Sequence, residues 1–261
     1  MGRPAPAAAN RLLNRWLTTS HLVRDTAELR RFYDHDYRET ESVVFSENSG
    51  HKHRLLAGIT DSEDFSGARV LEIGCGCGVL LDMMGRQWAT PFLCGIDLSG
   101  KMLAEGASLF PSQLHVHGSG SQLPFQSGAF EVVFFADYLE HVVDPALALA
   151  ETRRVARRLV CMVPLESGVI SDLHYSWRTW RGKPTHRDLL GHLQRFRAPA
   201  LDSLLQQAGF TIVRRALHQE AVDRASTLQG RLYQLPHRLL RPLPALNRLM
   251  FGEFAYVASC R

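Results

Sequence analysis

The sequence predicts an α/β fold, a doubly wound sheet of seven strands with helices between them. Two observations carry this prediction: short apolar runs alternate with segments of helical length, and a glycine-rich turn follows the first run. Strands are predicted at 69–73, 92–96, 113–116, 131–135, 159–163, 211–215 and 254–259. Helices are predicted at 79–87, 100–109, 145–155 and 198–208, the last ending at Gly209 as a C-cap. Ligands of such sheets bind at the carboxyl ends of the strands.

Length and composition restrict the class of protein. The chain has 261 residues, and 45% of them are hydrophobic, which is ordinary for a globular protein with a sizeable core. No apolar run reaches the length of about eighteen residues that a membrane-spanning helix needs. The first ten residues lack the apolar stretch of a secretion signal. We therefore expect a cytoplasmic protein that holds no metal and whose five cysteines are buried, reduced thiols.

The chain divides unevenly in organisation and in charge. Residues 1–60 are predicted to form a flexible tail and an N-terminal helical lid, and 61–261 the main domain. Within that domain we expect a cap insertion at 167–190 and a basic, apolar insertion at 217–252.

The charge is also unevenly distributed along the chain. Residues 1–150 carry 12 Lys and Arg against 18 Asp and Glu, whereas 151–261 carry 18 against 8. This asymmetry is compatible with an anionic partner for the C-terminal part.

The segment 70–80 reads V-L-E-I-G-C-G-C-G-V-L and predicts a strand, a tight turn and a helix whose start faces a ligand. Glycine permits positive φ and close approach of a ligand to the backbone. A dinucleotide fingerprint would need a third glycine where Val79 stands. With Glu72 two residues ahead of it, the turn instead resembles motif I of the class I S-adenosylmethionine methyltransferases. Its glycines are Gly74, Gly76 and Gly78.

Three later segments extend this resemblance to the ubiquinone and menaquinone methyltransferase-like members of the family. Residues 117–125, H-G-S-G-S-Q-L-P-F, are similar to the family's G-D-A-x-x-L-P-F. Residues 130–145, F-E-V-V-F-F-A-D-Y-L-E-H-V-V-D-P, are similar to F-D-x-V-x-x-x-x-x-L-E-H-V-x-D-P. G-H-L at 191–193 and L-L-Q-Q-A-G-F at 204–210 resemble its C-terminal feature. The resemblance implies a Rossmann-like sheet with an antiparallel last strand, and S-adenosylmethionine as cofactor.

The resemblance also implies which residues bind the cofactor. Asp97 ends the second strand, where a carboxylate can accept hydrogen bonds from both ribose hydroxyls; a helix N-cap is its alternative role, although Ser99 could supply that cap. Ser119 stands where the family usually has an aspartate that meets the adenine amino group. The predicted cofactor residues are Glu72, Gly74, Gly76, Gly78, Asp97, Leu98, Met102, Ser119, Gly120, Ala136 and Asp137.

Histidines at two of these motifs are the candidate catalytic residues. His141 follows the fourth strand, where the methyl end of the cofactor is expected, and an unperturbed imidazole is partly neutral at pH 7. His192 is the second candidate for a general base. The alternative is that both form pocket walls around an amine acceptor that needs no base.

Aromatic residues supply a predicted wall for the acceptor. The segment 174–187 lies where this family carries cap insertions and combines aromatic rings with basic residues that could contact an anion. An ordinary cap helix with solvated basic residues is its alternative. The predicted substrate-binding residues are Tyr33, Tyr37, Tyr138, Tyr175, Trp177 and Trp180.

The insertion at 217–252 interleaves arginine with leucine and has three interpretations. It could lie on a membrane surface, pair with a partner, or pack against the sheet. The leading function is methyl transfer from S-adenosylmethionine to an O, N or C nucleophile of a small-molecule or lipid-linked acceptor. The alternatives are an NAD-dependent oxidoreductase and a non-catalytic cofactor-binding module. Nucleic acid is not expected as a partner, because no N-P-P-Y-type segment follows the fourth strand.

Overall fold

The structure is a computed structural model and describes residues 44–61, 65–165, 168–182, 191–218 and 255–261, with short stretches between 239 and 250. The predicted lid residues Tyr33 and Tyr37 and most of the insertion 217–252 lie outside these residues. Within the described part, no helix is both long enough and apolar enough to span a bilayer.

One mixed sheet organises the described chain. Its strands are β1 (Arg69–Ile73), β2 (Phe92–Asp97), β3 (Leu114–His117), β4 (Phe130–Ala136), β5 (Ala156–Pro164), β6 (Ile212–His218) and β7 (Ala255–Cys260). Their order is β3-β2-β1-β4-β5-β7-β6, with β7 antiparallel to both of its neighbours and the pairs from β3 to β5 parallel. The predicted doubly wound sheet with an antiparallel last strand is confirmed. The order reverses between β1 and β4, so a switch-point crevice opens there.

Helices cover both faces of the sheet. They are α1 (Val44–Gly58), α2 (Val79–Gln87), α3 (Gly100–Leu109), α4 (Pro145–Val155), α5 (Val169–Trp180) and α6 (Ala198–Gln207), with a 3₁₀ turn at Leu139–His141. One apolar core lies between the sheet and α4 with α6, and a second lies between the sheet and α1 with α2. Because Leu56 of α1 is fully buried in the second core, truncation of this side chain to alanine should cost about 2–5 kcal/mol.

Local chemistry explains where the helices begin and end. Asp144 is the N-cap of α4, its carboxylate accepting the N–H groups of Ala146 and Leu147, and Pro145 occupies the first turn. After α6, Gly209 has a φ of 85°, as expected of a residue that ends a helix. Strand β5 starts at Ala156, three residues earlier than predicted, because the chain passes from α4 into the sheet without a loop.

Candidate active site

The glycine turn after β1 is tied to the neighbouring strand β2. The Gly74 N–H donates to the Ile96 carbonyl at 2.8 Å, and the Gly76 N–H donates to Asp97 Oδ2 at 2.8 Å. Gly74 has a φ of 74°, and a Cβ there would lie 3.2 Å from Cδ2 of Tyr138. Both the backbone conformation and the aromatic ring therefore favour glycine at position 74.

Asp97 is held from two sides at the carboxyl end of β2. Its Oδ2 accepts the Gly76 N–H, and its Oδ1 accepts the Ser99 N–H at 2.8 Å. Ser99 is itself the N-cap of α3, since its hydroxyl accepts the Met102 N–H. The helix-cap alternative for Asp97 is therefore wrong. Its carboxylate instead links the glycine turn to the end of β2 and lines a cleft.

That cleft has a volume of about 700 Å³ including its open mouth and lies at the carboxyl ends of β1, β2 and β4. Six of the predicted cofactor residues line it: Gly74, Asp97, Leu98, Ser119, Gly120 and Asp137. The other five lie outside its lining: Glu72, Gly76, Gly78, Met102 and Ala136. Their predicted roles as cofactor ligands stay predictions.

Tyr138 joins the two walls of the cleft. Its ring lies against Gly74 on one side, and on the other a Cβ at Gly120 would lie 2.3 Å from the Tyr138 hydroxyl oxygen. Burial raises the pKa of the Tyr138 phenol, against a hydrogen bond with Ser121 that lowers it. The phenol is therefore neutral at physiological pH. Predicted as a substrate contact, Tyr138 also borders the glycine turn.

A half-buried ion pair lies at the other end of the cleft, where Asp137 belongs to the lining and Lys52 does not. Lys52 of α1 places its ammonium 3.0 Å from Oδ2 of Asp137. Asp137 follows β4 with a φ of 54°, a left-handed conformation that aspartate tolerates better than most residues. Within the described residues, Asp137 Oδ1 is buried without a hydrogen-bond partner. A ligand with an N–H or O–H donor could satisfy this oxygen.

Lys52 faces more than one carboxylate. Burial alone lowers the pKa of its ammonium, but Asp137 and, more weakly, Glu140 and Glu72 raise it, and the net shift is upward. Lys52 is therefore a permanent cation beside this end of the cleft. Glu72 is only 3% exposed within β1. Its burial raises its pKa well above the ordinary value, against the charge of Lys52, which lowers it.

His141 ends the 3₁₀ turn and lines the cleft. Its Nδ1 lies 3.2 Å from the Gly191 carbonyl, and its Nε2 lies 3.6 Å from Oε1 of the buried Glu140. Burial, helped by His192, lowers the pKa of His141 to about 3. The ring is therefore neutral, and Nδ1 carries the proton that faces the carbonyl. Nε2 is then unprotonated and keeps its lone pair.

The second candidate base, His192, is brought to the first by a backbone clamp. The N–H groups of Leu193 and Gln194 both donate to the Glu140 carbonyl, at 2.7 and 2.9 Å. The His141 and His192 rings consequently meet edge to face, with centroids 4.8 Å apart. The sequence motifs E-H and G-H, about fifty residues apart, thus meet at one wall of the cleft.

This wall also offers a donor set for a cation. Ligand atoms of Glu140, His141 and His192 all lie within 4.8 Å of one another. Imidazole and carboxylate groups in that arrangement are donors that a divalent transition metal accepts. The sequence predicts no metal, and that stays a prediction, because the structure contains no ion that would test it.

The three aromatic residues of the cap insertion lie on α5, and none of them is part of the cleft lining. Tyr175 is half-buried beneath Arg195, whose guanidinium lies 5.2 Å from the ring centroid. Trp177 and Trp180 are exposed to solvent. Their predicted contact with the acceptor stays a prediction.

Lys52 is the site residue that sequence reasoning missed. It belongs to a basic stretch, H-K-H-R, in which Arg54 is exposed and Lys52 is mostly buried. The rotation of α1 about its axis selects between them, and that rotation depends on the burial of Leu56 in the core. No local signal in the sequence marks Lys52.

Comparison with known proteins agrees with this geometry. Residues 43–215, about two thirds of the chain, match the family described as "Methyltransferase domain". A ubiquinone biosynthesis O-methyltransferase of Aromatoleum aromaticum is 35% identical over 140 residues, covering 51% of this chain and 58% of that protein. The chain thus spans about half the length of the curated relatives it matches.

Solved structures show the same fold. A methyltransferase of Mesorhizobium loti aligns with a TM-score of 0.53 and 16% identity, covering 79% of this chain and 95% of that one. The [4+2]-cyclase SpnF aligns with a TM-score of 0.57 and 18% identity, covering 81% and 79%. The chain belongs to the class I S-adenosylmethionine-dependent methyltransferases, whose cofactor is S-adenosylmethionine.

Proposed function

We propose that this protein transfers the methyl group of S-adenosylmethionine to a hydroxyl of a small-molecule or lipid-like acceptor that enters at the His141 end of the cleft. The main support is the cleft itself, which connects the glycine turn and Asp97 with the wall formed by His141 and His192. The names of the curated relatives, ubiquinone biosynthesis O-methyltransferases, support an oxygen nucleophile over nitrogen or carbon.

The residues of the cleft fit this cofactor. Gly74 and Gly120 leave open the space that a Cβ would fill, so the backbone can be approached closely. Asp97 presents a carboxylate for two ribose hydroxyls. At the opposite end, Asp137 Oδ1 can accept from the ammonium of the amino-acid part, and the Lys52 ammonium can donate to its carboxylate.

The chain's own residues then need only to position the acceptor against the methyl group and to exclude water. When bound, the cofactor supplies a methyl group on a positively charged sulfur that leaves as a neutral thioether. Tyr138, Val142 and Val143 border the reacting end and limit the access of solvent. The neutral Nε2 of His141 takes the proton that the acceptor hydroxyl loses as its oxygen bonds to the methyl carbon.

The environment of His141 guides the choice of acceptors to test. Burial lowers the pKa of His141 to about 3, so the imidazole is neutral but a weak base. Phenols give up their proton more readily than aliphatic alcohols do, and they are therefore the acceptors to test first.

A cofactor-binding module without methyl transfer is the second candidate. The observation that favours it is that the same fold occurs in the [4+2]-cyclase SpnF, a protein whose name is not that of a methyltransferase. The oxidoreductase alternative has no comparable support, because Val79 stands at the third fingerprint position and the family match is to methyltransferases.

Two measurements test the proposal. Calorimetry with S-adenosylhomocysteine should detect binding to the purified protein, and NAD should produce no heat. Turnover is then followed by release of S-adenosylhomocysteine with phenols that carry isoprenoid or alkyl tails and with matched anilines. Methylation of the phenols supports the proposal, methylation of the anilines alone replaces the oxygen nucleophile, and binding without any turnover favours the cofactor-binding module.

A further inference from the structure

Helix α5 presents an apolar stripe to solvent. Val169, Leu173, Trp177 and Trp180 have spacings of four, four and three residues, which places them on one face of the helix. Leu173 is 64% exposed and Trp180 is 78% exposed. Large apolar side chains repeated on one exposed face are typical of a surface that binds something.

The opposite side of α5 is anchored to the domain. Asp172 pairs with Arg195 and, at 3.3 Å, with Arg197. Arg195 also covers the Tyr175 ring. These contacts fix the rotation of α5 about its axis, so the exposed stripe is a lasting feature of the fold.

A basic residue, Arg181, borders the stripe. Its guanidinium lies 5.4 Å from the Trp177 centroid and 5.6 Å from the Trp180 centroid. The acidic Asp172 is already paired with arginines. Tryptophan with adjacent arginine is the combination found where a helix lies at the level of lipid headgroups.

A second exposed apolar set belongs to the basic insertion. The described leucines of 217–252 that lie beyond β6 are exposed by 41 to 70%: Leu239, Leu243, Leu246 and Leu249. We infer that the apolar stripe of α5 is a lipid-binding surface that docks on a bilayer containing anionic lipids. Arg181 meets the negative headgroups, and the apolar side chains of the stripe enter the boundary with the acyl chains.

The stripe is connected to the acceptor wall of the cleft. Arg195, which pairs with α5, belongs to the segment whose Leu193 and Gln194 donate to the Glu140 carbonyl beside His141. Docking through α5 would therefore place this wall close to the bilayer. The consequence for substrate, which rests on the proposed function, is that the acceptor is a phenol with an apolar tail taken from the membrane.

Vesicle flotation of the full chain, without cofactor, tests the surface itself. Wild-type protein should float with vesicles of phosphatidylcholine and phosphatidylglycerol and less with phosphatidylcholine alone. The double variant Leu173→Ser/Trp180→Ser should lower the bound fraction at least about fivefold, because two buried apolar groups are removed from the lipid contact. Trp180→Ser alone should lower it less, and Arg181→Gln should mainly weaken the dependence on anionic lipid.

The matched control is Leu109→Ser/Leu114→Ser, which changes two exposed leucines, one at the end of α3 and one at the start of β3, and should float like wild type. Circular dichroism and S-adenosylhomocysteine binding verify that each variant is folded. The inference is overturned if wild-type protein stays in the aqueous fraction, or if the α5 variants float as wild type does. Light scattering that shows a dimer abolished by Trp180→Ser would overturn it in favour of self-association. Lipid binding without cofactor binding would leave this surface standing and reject the proposed function.

Discussion

The two ends of the cleft are built in different ways. The end formed by the glycine turn and Asp97 consists of backbone groups and one carboxylate at the termini of β1 and β2, all within about thirty residues of chain. The end around His141 combines α1, the 3₁₀ turn after β4 and the segment at 191–194. The first end needs only local geometry, whereas the second needs three distant segments to pack together. Substitutions of Asp97 and of His141 should therefore separate cofactor affinity from turnover.

The largest effect is expected at the acceptor end. His141→Ala should lower turnover by about 10²- to 10⁴-fold, because a positioned base is lost, while cofactor affinity remains. Single-turnover rates and calorimetry with S-adenosylhomocysteine measure the two quantities. The control His117→Ala changes an exposed histidine that lies next to Leu98 and should retain turnover. Unchanged turnover in His141→Ala would eliminate this residue as the base.

At the cofactor end, Asp97→Ala should weaken S-adenosylhomocysteine binding by about 100-fold, since hydrogen bonds to a charged acceptor are worth roughly 1.5–3 kcal/mol each. Asp82→Ala, which removes a carboxylate of α2 that pairs with Arg86, is the matched control for calorimetry. Wild-type affinity in Asp97→Ala would contradict the whole assignment of this end.

Substitution of Lys52 compares two ligands, because this side chain should contact only the amino-acid part of the cofactor. Lys52→Gln should weaken S-adenosylhomocysteine about tenfold through the loss of one charged hydrogen bond. It should change the binding of 5′-methylthioadenosine, which lacks the amino-acid part, by no more than about twofold. Arg86→Gln, at a mostly exposed arginine of α2, controls for the lost charge. Equal losses for both ligands would show that Lys52 acts on the fold and not on the ligand.

The last prediction concerns stability against pH. The pKa of His141 is about 3 in the folded protein and about 6.5 in an unfolded chain. The unfolded state therefore binds the extra proton first, and stability should fall as pH drops below about 6.5, by about 1.4 kcal/mol per pH unit until about pH 3. Urea unfolding of wild type and His141→Gln between about pH 7 and 5 measures this. Parallel curves for the two proteins would contradict it.

The bounds of a helix or strand can be predicted from the sequence where a local signal, such as a capping residue, marks its end. Helices α2, α3 and α4 have the bounds that the sequence predicts, because Ser99 caps α3, Asp144 caps α4 and the glycine turn precedes α2. Strand β6 runs three residues longer than predicted, to His218, because it stays paired with β7 as far as Ala255. This extension depends on pairing with β7, which lies some forty residues further along the chain. The local sequence of β6 therefore does not reveal where β6 ends.

The sequence by itself determined the sheet, the glycine turn and the position of Asp97, since backbone conformation and strand ends depend on residues adjacent in the chain. Tertiary structure alone decided that Lys52 reaches Asp137, that His192 meets His141, and that the tryptophans of α5 face solvent. Each of these depends on how a helix or loop is rotated when its apolar side chains are buried. That rotation is a property of the packed core, and it is not encoded in any single segment.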